Sequence, residues 1–139
     1  MAGYSGTPLA KKLGIKPDHC IALINAPASF ECTLVDLPAG VEIDEDLKRR
    51  TGLDVILYFA QSDKELRAQF QRIAQRLSPA GGLWIAWPKR TSGVATDLSE
   101  NRIREIGLAT GLVDNKVCAI DETWSGLRFV IRLKDRPKQ

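Results

Sequence analysis

One histidine, one methionine and three cysteines stand in a chain of 139 residues with only 6% aromatics, and these scarcities narrow the chemistry. His19 opens the first predicted strand, at the sheet edge opposite the one where open α/β folds bind ligands, so no Ser-His-Asp or Cys-His arrangement can be drawn. Cys20, Cys32 and Cys118 are odd in number and form no CxxC pair, which supports neither a disulfide framework nor a metal site. They read as reduced core residues. No apolar stretch approaches a membrane span, and Met1-Ala2-Gly3-Tyr4-Ser5-Gly6 lacks the charged start and apolar middle of a signal peptide, so a cytoplasmic protein with no membrane partner is expected. Twenty Lys plus Arg against seventeen Asp plus Glu leave +3. That near balance disfavours nucleic acid as a partner, and Arg132, Lys134, Arg136 and Lys138 read as a solvated tail.

What is present suits one α/β domain over residues 1–139, with 44% hydrophobic residues to build its core. Cys20-Ile21-Ala22-Leu23-Ile24, Asp54-Val55-Ile56-Leu57-Tyr58-Phe59-Ala60 and Leu83-Trp84-Ile85-Ala86-Trp87 are continuous apolar runs of the kind buried on both faces of a parallel sheet. Trp84 and Trp87, three apart, point to opposite faces. Val41-Glu42-Ile43 reads as a short edge strand that could pair with a second copy, and Asp44 to Arg50 as a helical turn. Only six residues separate the strand at 115–120 from that at 127–133, too few for a parallel crossover, so the last pair must be an antiparallel hairpin.

Helices fill the intervals. Thr7-Pro8 opens a short one that closes at Gly14; Ser29 heads a segment with Phe30, Leu34 and Leu37 at helical spacing. Ser62 with Glu65, and Asp97 with Glu100, form capping boxes before two amphipathic helices, the first facing inward with Leu66, Phe70, Ile73 and Leu77. Ser78-Pro79-Ala80-Gly81-Gly82 reads as the turn between the first of these and the central strand.

Asp54-Val55-Ile56-Leu57 and Leu77-Ser78-Pro79-Ala80-Gly81-Gly82-Leu83-Trp84-Ile85 resemble the fourth strand, and the entry into the fifth, of class I S-adenosylmethionine-dependent methyltransferases. Ala2-Gly3-Tyr4-Ser5-Gly6-Thr7-Pro8-Leu9, the run from Trp87-Pro88-Lys89 to Asn101, and Asp121-Glu122-Thr123-Trp124-Ser125-Gly126-Leu127-Arg128 resemble a bacterial domain-of-unknown-function family of short methyltransferase-like proteins. The resemblance implies a Rossmann-like three-layer sandwich, mostly parallel, with a C-terminal antiparallel hairpin whose last strand inserts beside residues 83–87. It implies S-adenosylmethionine as a cofactor only if the first-strand turn can hold it. Such enzymes carry glycines there, whereas this chain has Asn25-Ala26-Pro27-Ala28-Ser29, with a proline that deletes a donor. Glu42 or Asp44 falls where an acid meets a ribose hydroxyl in such folds, though a helix-capping Asp44 reads equally well.

That topology would bring the loop at 89–96 beside the turn at 121–126, with Asn25 and Gln61 at neighbouring strand ends. The candidate ligand-binding residues are Lys89, Arg90, Ser92, Thr96, Asp121, Glu122, Trp124 and Asn25, around a small, partly anionic or aromatic ligand. Alternatively, Lys89 pairs with Asp121 or Glu122 and the rim is merely tied down. Catalytic residues stay unassigned. The expectation is a non-catalytic domain, without cofactor or metal, that binds a small molecule or protein partner. The alternative is a small S-adenosylmethionine-dependent transferase with a non-standard cofactor site.

Overall fold

Two strands carry the centre of the molecule because neither exposes a face. A computed structural model describes residues 8–28, 30, 33–44 and 52–136. Among these, α1 (Leu9–Leu13), β1 (Cys20–Ile24), β2 (Glu42–Asp44), β3 (Leu53–Phe59), α2 (Asp63–Ala74), β4 (Leu77–Pro88), α3 (Glu100–Ala109), β5 (Leu112–Ala119) and β6 (Trp124–Ile131) follow in order. They form one six-stranded sheet in the order β2-β1-β3-β4-β6-β5. β2, β1, β3 and β4 pair in parallel, and β6 lies antiparallel between β4 and β5. This is the α/β, Rossmann-like arrangement that the apolar runs and the final hairpin imply.

Alternation along the strands divides the core into two layers. Ile56, Tyr58, Leu83, Ile85 and Trp87 join Leu127 and Phe129 beneath α2 and α3, which contribute Leu66, Phe70, Ile73, Ile103 and Ile106. Val55, Leu57, Phe59, Trp84 and Ala86 face the other way, under Ala10 and Leu13 of α1 and under Phe30 and Leu34. The two tryptophans of β4 thus lie on opposite faces, as their spacing requires. Trp84 is fully buried and donates its indole N–H to the carbonyl of Leu13 at 3.1 Å. A carbonyl in the last turn of a helix has no intrahelical partner, so this bond both caps α1 and pins it to the middle of the sheet.

Several boundaries differ from those read along the sequence, each for a local reason. β4 begins at Leu77, before the Gly-Gly pair: its register with β3 jumps from Leu53↔Leu77 to Val55↔Gly82, so residues 78–81 bulge out of the ladder instead of forming a separate turn. A Cβ on Gly81 would lie 2.8 Å from the Asp54 carbonyl oxygen, so the bulge needs glycine there. α3 is capped by Ser99, whose hydroxyl accepts from the N–H of Arg102 at 3.2 Å, and not by Asp97. Asp97 reaches across to accept from the N–H of Asp63 at the start of α2. β5 starts at Leu112, immediately after left-handed Gly111, and β6 runs from Trp124 to Ile131, which shortens the hairpin turn.

The edge strand covers Glu42–Asp44 and pairs with β1. Asp44 is therefore a strand residue; the helical turn expected after it lies outside the described residues. So do Thr7, Ser29 and Cys32. Thr33 and Leu34 donate to the Phe30 carbonyl, and Asp36 at φ 58° precludes helical continuation through Leu37. Cys20 and Cys118 are free thiols, and His19 accepts through Nδ1 from the N–H of Lys16 at the edge away from the rim.

α2 and α3 are joined by charge as well as by packing. The Asp63 carboxylate accepts from Arg67 Nε at 2.6 Å and from Arg102 Nη1 at 2.9 Å, and these bonds hold its pKa below the usual carboxylate range. Arg104 similarly joins Glu100 to Asp114 of β5.

Two substitutions test this packing. Trp84→Phe removes the only indole donor to Leu13 and part of the buried ring, and should cost about 2–4 kcal/mol in urea unfolding followed by circular dichroism. A loss under about 1 kcal/mol would show that α1 is not anchored by this bond. At Gly107 an added Cβ would come within 2.1 Å of the fully buried Phe129 ring, itself edge-on to Phe70 at 5.3 Å. Gly107→Ala should therefore lower the thermal midpoint, the overpacking cost of about 1–3 kcal/mol outweighing alanine's better helix propensity.

Candidate functional site

The order of the strands creates a crevice before any side chain is considered. From β1 the chain goes to β2 on one side, then returns to β3 on the other, so segments leaving the ends of β1 and β3 diverge and leave a gap between them. Asn25 and Pro27 follow β1; Phe59 ends β3, and Gln61 and Ser62 lead to α2, which adds Glu65. With Trp124 these residues line a cleft of about 460 Å³. One wall is aromatic: Phe59 meets Phe30 and Trp124 edge-on at 4.9 and 5.0 Å. The polar part of the lining is two amides, one hydroxyl and one carboxylate. Among the described residues Glu65 is the only charged one lining this cleft, so it suits a neutral or cationic ligand better than the anionic one suggested by Lys89 and Arg90.

The loop at 89–96 and the turn after β5 do meet. The N–H of Lys89 donates to the Thr123 carbonyl at 2.7 Å. Much of the polarity expected to face a ligand is instead spent on holding these segments. Ser92 Oγ donates to the Lys89 carbonyl and accepts from the Val94 N–H. Thr96 Oγ1 donates to the Gln61 carbonyl at 2.6 Å and accepts from Leu98. One oxygen of Asp121 accepts from the N–H groups of both Thr123 and Trp124 at 2.8 Å, an Asx turn that sets the direction of β6. Among the described residues no ion pair joins Lys89 to Asp121 or Glu122; Lys89 is half-buried, and Arg90 and Glu122 are exposed.

The eight candidates are thus divided. Asn25 and Trp124 line the crevice. Arg90 and Thr96 line a second cleft of about 580 Å³ between the end of β4 and the start of α3, beside Trp87, Asp97, Leu98 and Glu100. The Thr96–Gln61 bond stands between the two. Lys89, Ser92, Asp121 and Glu122 line neither. Pro27, Phe59, Ser62 and Glu65 were not candidates. Ser62 and Glu65 read as a cap, and half of that reading holds, since Ser62 Oγ accepts from the Glu65 N–H at 3.1 Å. The carboxylate of Glu65 is exposed at the rim, where it lines the cleft and lies beside the Tyr58 hydroxyl.

The turn after β1 decides what can be gripped there. Asn25 is left-handed at φ 58°, Pro27 has no N–H, and its carbonyl accepts from Phe30. β2 ends opposite Ala22, two residues short of the end of β1, and Asp44 at its tip already has an interaction of its own. Glu42 sits at the far end, opposite Cys20. The turn Asn25-Ala26-Pro27-Ala28 therefore provides no glycine cradle for a phosphate or nucleoside.

Solved structures of the same fold are numerous. An S-adenosylmethionine-dependent methyltransferase from Aquifex aeolicus matches with TM-score 0.63 at 13% identity over 89% of this chain and 88% of its own. The mitomycin 7-O-methyltransferase MmcR matches with TM-score 0.63 at 12% identity over 82% of this chain, which spans 49% of that enzyme. Magnesium protoporphyrin IX methyltransferase from Synechocystis, solved with its cofactor bound, gives 0.56 at 9% identity over 89% of this chain and 74% of its own. At such identities the likeness is one of fold. No curated protein matches the sequence. Residues 10–133 match the family described as "Protein of unknown function (DUF3052)", and the chain belongs to it.

Proposed function

We propose that this domain is a small-molecule binding protein that keeps the methyltransferase sheet without transferring a group, its ligand lying at the carboxyl-end rim in the crevice between β1 and β3. The observation that carries the reading is the composition of that crevice: an aromatic wall of Phe59 and Trp124 faces Asn25, Gln61 and Glu65, while Ser92, Thr96 and Asp121 are committed to backbone partners. Such a mixture fits a ligand with one flat apolar body and a polar end. The second cleft, with Arg90, is the place on the same rim where an anionic group or a protein partner would engage.

The second reading, a transferase using S-adenosylmethionine in a shifted pose, draws support from the crevice lying where related folds bind nucleotides. It conflicts with the proline-bearing, glycine-free turn.

Tryptophan fluorescence titrated with a metabolite panel separates these readings. A ligand of the crevice should change the emission of Trp124; Trp124→Phe should abolish the response, Asn25→Ala should weaken binding about tenfold, and Arg90→Ala should leave it unchanged. A response indifferent to the first two variants would place the ligand elsewhere. Millimolar S-adenosylmethionine should produce no thermal shift, whereas a ligand at a hundredfold its dissociation constant would stabilise the domain by about 2.7 kcal/mol.

A further inference from the structure

Among the described residues, Tyr58 of β3 is the buried side chain whose polar atom lacks a partner in hydrogen-bonding geometry, with the Glu65 carboxylate near it. Its side chain is 1% exposed, and its hydroxyl makes no hydrogen bond among the described residues. An unsatisfied buried hydroxyl is costly, so such a group calls for an explanation. Tyr58 points beneath α2, where it lines a notch of about 260 Å³ with Ile24, Asn25, Glu65, Gln69 and Ile73. Asn25 and Glu65 also line the crevice, so the notch opens from its polar end. Glu65 and Gln69 are one helical turn apart on α2 and frame the notch together. Burial, reinforced by the nearby Glu65 carboxylate, raises the phenol above its ordinary range, so the hydroxyl keeps its proton at any physiological pH.

We infer that this notch is an ammonium subsite: it receives the primary amine of a ligand whose flat body rests against Phe59 and Trp124. The inference rests on the crevice being the binding site and adds the class of ligand. An ammonium carries three donors and no acceptor. Glu65 supplies the countercharge, the amide oxygens of Asn25 and Gln69 are acceptors, and the phenolic oxygen has lone pairs that nothing else occupies. An alcohol would leave the carboxylate without a countercharge, and a carboxylate or phosphate would be repelled by Glu65.

Three indoles provide the test: tryptamine, with a body and an ammonium; 3-ethylindole, with the body alone; and indole-3-propionate, with the body and an anion. Binding is followed by amide shifts of the isotope-labelled protein. Tryptamine should bind about tenfold more tightly than 3-ethylindole, and indole-3-propionate more weakly than either. Glu65→Gln and Tyr58→Phe should each remove most of tryptamine's advantage and leave 3-ethylindole unchanged. Because Tyr58→Phe deletes a buried orphan, it should fold at least as stably as the parent, so lost binding cannot be put down to unfolding. Equal binding of tryptamine and 3-ethylindole in the crevice would overturn the ammonium subsite and leave the binding site standing. If none of the three indoles moves the resonances of Asn25, Gln61 or Trp124, the crevice reading falls as well.

Discussion

The hydrogen bond from Trp84 to the Leu13 carbonyl holds together what the rest of the molecule requires. β4 can be apolar on both faces only if both are covered, and one cover is a helix of five residues, too short to be stable alone. By satisfying a carbonyl at its last turn, Trp84 turns α1 into part of the core. With β4 buried, β3 and β6 are fixed on either side of it, and the rim is fixed by where these strands end.

From that frame the site follows by connection and not by motif. β6 enters between β4 and β5, which carries Trp124 to the rim beside Phe59. The Asx turn at Asp121 and the Lys89–Thr123 bond lock this entry, so Trp124 is a rigid wall. The residues that looked most reactive along the sequence are those doing this work. A hydroxyl or carboxylate in a loop has two uses, to bind or to brace, and only its partners tell which.

The long apolar strands were legible because a strand buried on both faces has little choice of composition, and 20–24, 54–60 and 83–87 contain almost nothing but apolar residues. The order of the final strands followed from the short hairpin together with the family resemblance. β5 was legible from Asn115 onward; Leu112 to Asp114 were missed because the strand starts directly after Gly111 and Asp114 lies on an edge where polar residues are tolerated. Asp97 and Ser99 both sit at cap positions, and what separates them is a contact with Asp63 34 residues away. The crevice was half visible: Asn25 and Trp124 could be placed by topology. Tyr58 looked like one more core aromatic, and Glu65 like a cap partner, until α2 was laid across β1 and β3. Their juxtaposition is tertiary and leaves no trace in local spacing.

The account turns on one location, and co-crystallisation with a small-molecule fragment library tests it most directly. Ligand density should accumulate between Pro27, Phe59 and Trp124, with polar atoms directed at Asn25 and Glu65. Density recurring in the cleft beside Arg90 and Glu100, with the space between β1 and β3 left to solvent, would contradict it.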